Sequence, residues 1–234
     1  MAANQKLIKQ VRAALKEAAD PSRAPGMQAY MKSLMPYRGV MAGPQRKVTR
    51  EAIKQHPLAS FEDWRDTALA LWREADYREE RYAAQDLLGA KAYATFQSPA
   101  CMPMYEELIV DGAWWDHVDD IAIHRVGPLL LAHRDDIEPI MRAWSTDDDM
   151  WKRRSAIICQ VGAKSEIDLA LLYDCIAANM ADTEFFIRKA IGWALRSHAW
   201  LNPGEVERYV AQHEDQLSGL SKREARKNMG KLLP

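Results

Sequence analysis

Three features of the 234-residue sequence predict an all-α fold of stacked antiparallel helix pairs. Apolar residues recur at helical spacing along almost the whole chain, and no segment sustains the apolar–polar alternation of a strand. The connections between apolar-periodic segments are short and contain Pro, Gly or Asp, as antiparallel helix neighbours require. Finally, similar segments return at intervals near 35 residues, the length of one helix pair.

In chain order, Leu7, Val11, Leu15 and Ala18 form the first apolar stripe, and Trp64, Ala68, Leu71 and Trp72 form another. Further helical segments begin near Pro44, Tyr77, Met104, Trp114, Pro128, Asp136, Asp149, Ser165, Thr183, Pro203 and Ser218. Several starts carry a cap signal: Thr183 followed by Glu184, Asn202 before Pro203, and Ser218 before a basic run. The tract Asp147-Asp148-Asp149 reads as a turn and helix cap rather than a calcium loop, because the EF-hand ligand pattern is missing.

Three of these segments are alike. Tyr77 to Ala84, Trp151 to Ala156 and Phe186 to Ile191 each place an aromatic residue three or four positions before a cation, then Ala and an apolar run. A period of about 35 residues per two helices is HEAT-like, and such units bury their apolar faces only by stacking into a curved α-solenoid. One helix of each pair then lines the concave wall. The whole chain, 1–234, reads as a single domain of this kind.

A charged position recurs with the same interval: Arg46, Arg81, Asp119, Arg154, Lys189 and Arg226. Five are cations, and the exception lies in the tract Trp114-Trp115-Asp116-His117-Val118-Asp119. Trp115 stands four residues before Asp119 and Trp193 four after Lys189, so both indoles share the stripe, while Trp114 points into the core. Cations in such a row neutralise phosphates, and indoles stack on bases or cover a sugar face. A lone carboxylate weakens anion binding and therefore asks for a reason. Cleavage of an N-glycosidic bond builds positive charge on the sugar, which a carboxylate stabilises while it orients or deprotonates the attacking water. The competing reading is structural: solenoid repeats also use Asp–Arg pairs to tie neighbours together.

Composition bounds the rest. The net charge of −1 hides basic ends and an acidic centre, since residues 1–54 hold eleven Lys/Arg against three Asp/Glu. Residues 216–234 hold five against one. Such a distribution fits a polyanion clamp, or simply solvated helix faces of mixed sign. No apolar run is long enough for a membrane span and the N-terminus lacks a secretory pattern, so a cytoplasmic protein is expected. Cys101, Cys159 and Cys175 are widely spaced and read as buried thiols. Asp116, His117, Asp119, Asp120 and His124 do not converge at metal-ligand spacing, so no metal is expected. No dinucleotide, P-loop or serine-hydrolase motif occurs.

The sequence also resembles a known family, the AlkD-like DNA alkylation repair proteins, which are HEAT-like-repeat alkylpurine DNA glycosylases. The resemblance rests on Ala29 to Lys32, Tyr37 to Val40 with Pro44 to Arg46, Trp114 to Asp119, Arg154 to Ile157, and Pro203 to Met229. Its most specific tract is FFIRKAIGWALR, Phe185 to Arg196. It implies excision of cationic N3- and N7-alkylated purines from duplex DNA, without base flipping, metal or cofactor. Asp119 matches the catalytic Asp, Trp115 and Trp193 the aromatics that hold the lesion nucleotide, and Arg154 the Arg that positions the DNA backbone beside that Asp. Tyr30 matches an aromatic that contacts DNA, and Arg46, Lys47, Arg81, Lys189 and Arg226 would complete the grip. A monomer in a bacterial cytoplasm, associated with the nucleoid when bound to DNA, is expected. Rival readings are a non-catalytic DNA-structure binder and a HEAT-type protein scaffold.

Overall fold

The computed structural model describes residues 3–232, and within them every regular element is helical. The chain divides into two compact units, Met1–Gln97 and Ser98–Pro234.

The first unit holds α1 (Gln5–Glu17), α2 (Ala24–Met31), α3 (Ala42–Gln55), α4 (Phe61–Arg73) and α5 (Arg78–Leu88), followed by a 3-10 segment, Lys91–Phe96. The two apolar stripes behave as predicted: Leu7, Val11 and Leu15 of α1, and Trp64, Ala68, Leu71 and Trp72 of α4, are fully buried. Ala18 falls outside that stripe, because α1 ends at Glu17 and Ala18 is its half-buried C-cap. The α4–α5 pair is antiparallel and compact; the Trp64 indole N–H donates to the Leu87 carbonyl at 3.1 Å.

Two carboxylates sit at the centre of this unit. Glu79 is wholly buried and accepts the backbone N–H groups of Arg38, Gly39 and Val40 at 2.9–3.1 Å. Its neighbour Glu80, equally buried, pairs with Arg12 at 3.0 Å and Arg38 at 2.8 Å. A buried carboxylate is tolerated only when fully hydrogen-bonded, and these two satisfy that by pinning one loop. Gly39 is required there, since its φ is +83° and a Cβ would lie 2.0 Å from the Asp20 carbonyl oxygen. The helix α2 was not among the predicted segments. It is short, begins with Ala-Pro-Gly and buries only Met31, so it carries no apolar stripe to read.

The second unit contains α6 (Met102–Gly112), α7 (Trp115–Ile121), a π turn (Ala122–Val126), α8 (Gly127–Ala132) and α9 (Arg134–Trp144). It continues with α10 (Met150–Ile158), α11 (Leu169–Ala177), α12 (Phe185–Ala199), α13 (Pro203–Gln212) and α14 (Gly219–Arg226). Asp149, Asn202 and Ser218 cap their helices as predicted, each side-chain oxygen accepting a backbone N–H of the first turn. Predicted starts near Met104 and Asp136 fall two residues earlier, at Met102 and Arg134, and two others move later. The segment expected at Ser165 is a single 3-10 turn, and α11 begins at Leu169 behind the cap of Asp168. The start expected at Thr183 falls at Phe185, because Asp182 takes the Glu184 N–H and Glu184 becomes the cap position. The three cysteines are buried free thiols. Glycine permits close helix approach at one crossing: a Cβ on Gly192 of α12 would lie 2.4 Å from the Glu224 Cβ of α14.

Candidate functional site

The site is built on α7, α10 and α12. Trp114 is extended and precedes α7; its carbonyl accepts the N–H groups of His117 and Val118, which starts the helix. Trp115 opens α7, and Asp119 follows one turn later on the same face. The helix then loosens into the π turn, a local widening often found beside functional side chains. On α10, the Asp149 cap holds the first turn, and Arg154 follows within the buried part of the helix.

These residues converge. The Arg154 guanidinium meets the Asp119 carboxylate in a two-point pair, with Nε to Oδ1 at 2.7 Å and Nη2 to Oδ2 at 2.8 Å. Its remaining nitrogen, Nη1, donates to the Phe186 carbonyl of α12 at 2.6 Å. One guanidinium thus ties three helices together. Planar two-point pairs of this kind are the strongest and most directional that Arg makes. The Arg154 side chain is only 4% exposed and Asp119 15%, so the pair is largely buried and the carboxylate is its more exposed member. Burial raises the Asp119 carboxyl above its ordinary range; the Arg154 hydrogen bond and charge pull it down, and Asp116 pushes it up again.

Behind the pair lies an aromatic cluster. Phe186 contacts Trp151 at a centroid distance of 5.0 Å and Trp114 at 5.4 Å, and the Arg154 guanidinium lies 5.8 Å from the Phe186 ring. Trp114 therefore packs against Trp151 and Phe186, but it is half-buried, as Trp115 is, and does not enter the core as expected. Trp115 remains half-exposed on the Asp119 face of α7. Trp193, also half-exposed, lies two turns beyond Phe186 on the same face of α12, with Lys189 between them.

The other stripe members are engaged to different degrees. The Lys189 ammonium pairs with Glu224 at 2.6 Å, and Arg196 holds the same carboxylate. Arg226 pairs with Glu207 at 2.6 Å and lies 3.5 Å from Glu214. In the first unit, Arg46 is 67% exposed with Asp86 at 3.9 Å, Lys47 is exposed, and Arg81 stacks over Trp72 at 4.6 Å. Tyr30, at the end of α2, is 76% exposed. Sequence reasoning missed the Phe186 carbonyl and the Glu207 and Glu224 partners. No residue-type signal marks a backbone oxygen as a ligand, and glutamates on solvated helices are too common to stand out. Among the described residues, no group of three or more His, Cys, Asp or Glu is placed to hold a metal ion.

Chemically, the arrangement offers an oriented, partly desolvated anion on the same helix face as a half-exposed indole. In low dielectric such an anion stabilises a positive charge developing next to it more strongly than it would in water.

Comparison with known proteins follows the same direction. A family model described as "DNA alkylation repair enzyme" matches residues 11–229. A solved structure described as a predicted DNA alkylation repair enzyme from Enterococcus faecalis is 28% identical and superposes with a TM-score of 0.81. The match covers 89% of this chain and 95% of that one. No curated protein matches the sequence.

Proposed function

Because the chain belongs to the DNA alkylation repair enzyme family, we propose that it is a monofunctional glycosylase that releases cationic N3- or N7-alkylated purines from duplex DNA. The observation that carries this reading is the two-point Asp119–Arg154 pair, in which a buried cation fixes the orientation of a partly exposed carboxylate. An alkylated purine is already positively charged, so the C1′–N bond breaks with its electron pair leaving on the base. The positive charge moves to the deoxyribose. Asp119 stabilises that charge and aims water at C1′; the water adds its oxygen there and gives up a proton, leaving an abasic site and a free base.

In this reading Trp115 and Trp193 pack on the lesion deoxyribose, and Arg154 acts by holding Asp119, its nitrogens all being engaged. Tyr30, Arg46, Lys47, Arg81, Lys189 and Arg226 contact the duplex. A good leaving group needs no enclosing base pocket, so excision proceeds without flipping the base, in contrast to glycosylases that extrude it. No metal or cofactor takes part. The chain works as one repeat domain, 1–234, as a cytoplasmic monomer; among its described residues no helix is long and apolar enough to cross a membrane.

The test is direct. Purified protein incubated with methylated duplex DNA releases N3-methyladenine or N7-methylguanine, identified by mass. Asp119→Asn slows release by about a hundredfold or more, the scale of removing one preorganised electrostatic group, while DNA binding persists. Release by the Asn variant at the parental rate rejects the assignment, and binding of DNA without any release leaves the non-catalytic rival.

A further inference from the structure

A carboxylate outside the Asp119 pair, Glu224 of α14, is joined to the two cations that flank Trp193. Its side chain is 13% exposed, and each of its oxygens takes a different partner. The Lys189 ammonium meets Oε1 at 2.6 Å, and an Arg196 guanidinium nitrogen meets Oε2. Lys189 lies four residues before Trp193 and Arg196 three after it, so both charges share a helix face with the half-exposed indole. The Glu224 Cβ rests against the α12 backbone, since a Cβ on Gly192 would fall 2.4 Å from it. The Lys189 hydrogen bond holds the Glu224 carboxyl below its ordinary range against the effect of burial, and Arg196 adds to that, so the carboxylate stays ionised.

A positive charge beside the indole acts oppositely on two ligands. It attracts the phosphates of any duplex, damaged or not. It repels a cationic purine, and also the sugar cation that forms as the base leaves. Lys189 and Arg196 together would put two such charges where the proposed reaction builds positive charge. One carboxylate bonded to both cuts the net charge of the group from +2 to +1 while leaving both cations in place.

We propose that Glu224 is a positioning residue that sets charge: it masks Lys189 and Arg196 beside Trp193, which lowers affinity for undamaged duplex and spares the cationic lesion from repulsion. This rests on the reading that the lesion is a cationic purine held at Trp193. A purely structural tie between α12 and α14 predicts that binding and release are lost together. Charge masking predicts changes of opposite sign.

The test uses the full chain carrying Glu224→Gln, which keeps the side-chain shape and removes the charge. Binding to an undamaged duplex, followed by fluorescence anisotropy between about 50 and 200 mM salt, tightens, and its salt slope steepens by up to about 0.9 for each cation that gains a phosphate. Release of N7-methylguanine from methylated duplex at saturating protein slows by about three- to tenfold, the effect of one unit charge at about 6 Å under partial screening. Adding Lys189→Gln restores the net charge of +1, so release recovers to within about twofold of the parent and the extra affinity disappears. Lys189→Gln alone decides the matter if Glu224→Gln fails to fold: it weakens duplex binding, flattens the salt slope and speeds release at saturation. Joint loss of binding and release without recovery in the double variant overturns the proposal, as does release by Glu224→Gln at the parental rate. A Lys189→Gln chain that releases base more slowly than the parent does so too. A parent that releases no base rejects the glycosylase reading itself, and this inference with it.

Discussion

Two oxygens of Asp119 meet two nitrogens of Arg154 at 2.7 and 2.8 Å, so removing either partner strands the other. In Arg154→Ala the carboxylate keeps its burial and loses the only cation that lowers its pKa. Three effects follow. The variant loses about 3–5 kcal/mol of stability, the scale of breaking a buried pair, measurable by chemical denaturation. On the proposed function, its rate of base release falls. The acid limb of its pH–rate profile also moves upward relative to the parent. The sign is fixed by the proposed role: Asp119 would act ionised, so rate is lost as pH falls through its pKa. Burial already places that pKa above the ordinary 3.8, and loss of Arg154 raises it further. An acid limb that stays in place in Arg154→Ala removes the arginine from control of Asp119.

Among the elements, α12 does the most to assemble the site. It offers the Phe186 carbonyl to Arg154, presents Trp193 two turns later, and lies tightly against α14 at Gly192. That crossing is reinforced by the Ser221 hydroxyl, which donates to the Arg188 carbonyl at 2.9 Å, and by Glu224 between Lys189 and Arg196. Gly192→Ala puts a methyl group where the Ser221 carbonyl oxygen lies at 2.7 Å, so the helices must part. We expect a loss of about 1–3 kcal/mol, read as a lower denaturation midpoint, together with weaker lesion binding if Trp193, the next residue, has the proposed role. Gly26→Ala, where a Cβ meets open space, is the control and leaves the midpoint nearly unchanged.

For the molecule as a whole, the cations are unevenly distributed along the chain. The net charge is −1, yet eleven of the cations fall in residues 1–54, where Arg46 and Lys47 stand exposed. Lys189 and Arg226 are instead already paired within the fold, Lys189 with Glu224, which Arg196 shares, and Arg226 with Glu207. Duplex binding should therefore be strongly salt-dependent, while the rate of base release at saturating DNA should depend on salt little. Neither quantity should respond to EDTA, since the proposed chemistry uses only a carboxylate, water and a cationic leaving group. A loss of release on chelation, restored by a divalent metal, would falsify that reading.

Much of this was legible in the residues themselves. The helical class, the buried faces of α1 and α4, and the caps at Asp149, Asn202 and Ser218 all follow from local spacing and local hydrogen bonding. The repeat interval also put Asp119 and Arg154 in equivalent positions 35 residues apart, and so made them candidates for one surface. Spacing along a chain could not say whether they would face solvent side by side or bond to each other. That was decided by tertiary structure: α10 lies close enough to α7 and α12 for one guanidinium to reach a carboxylate and a carbonyl at once. Short-range physics writes periodicity and caps into sequence because the partners lie within a turn. Pairing across helices depends on distances set only when the cores close, and a backbone carbonyl such as that of Phe186 leaves no mark in the sequence.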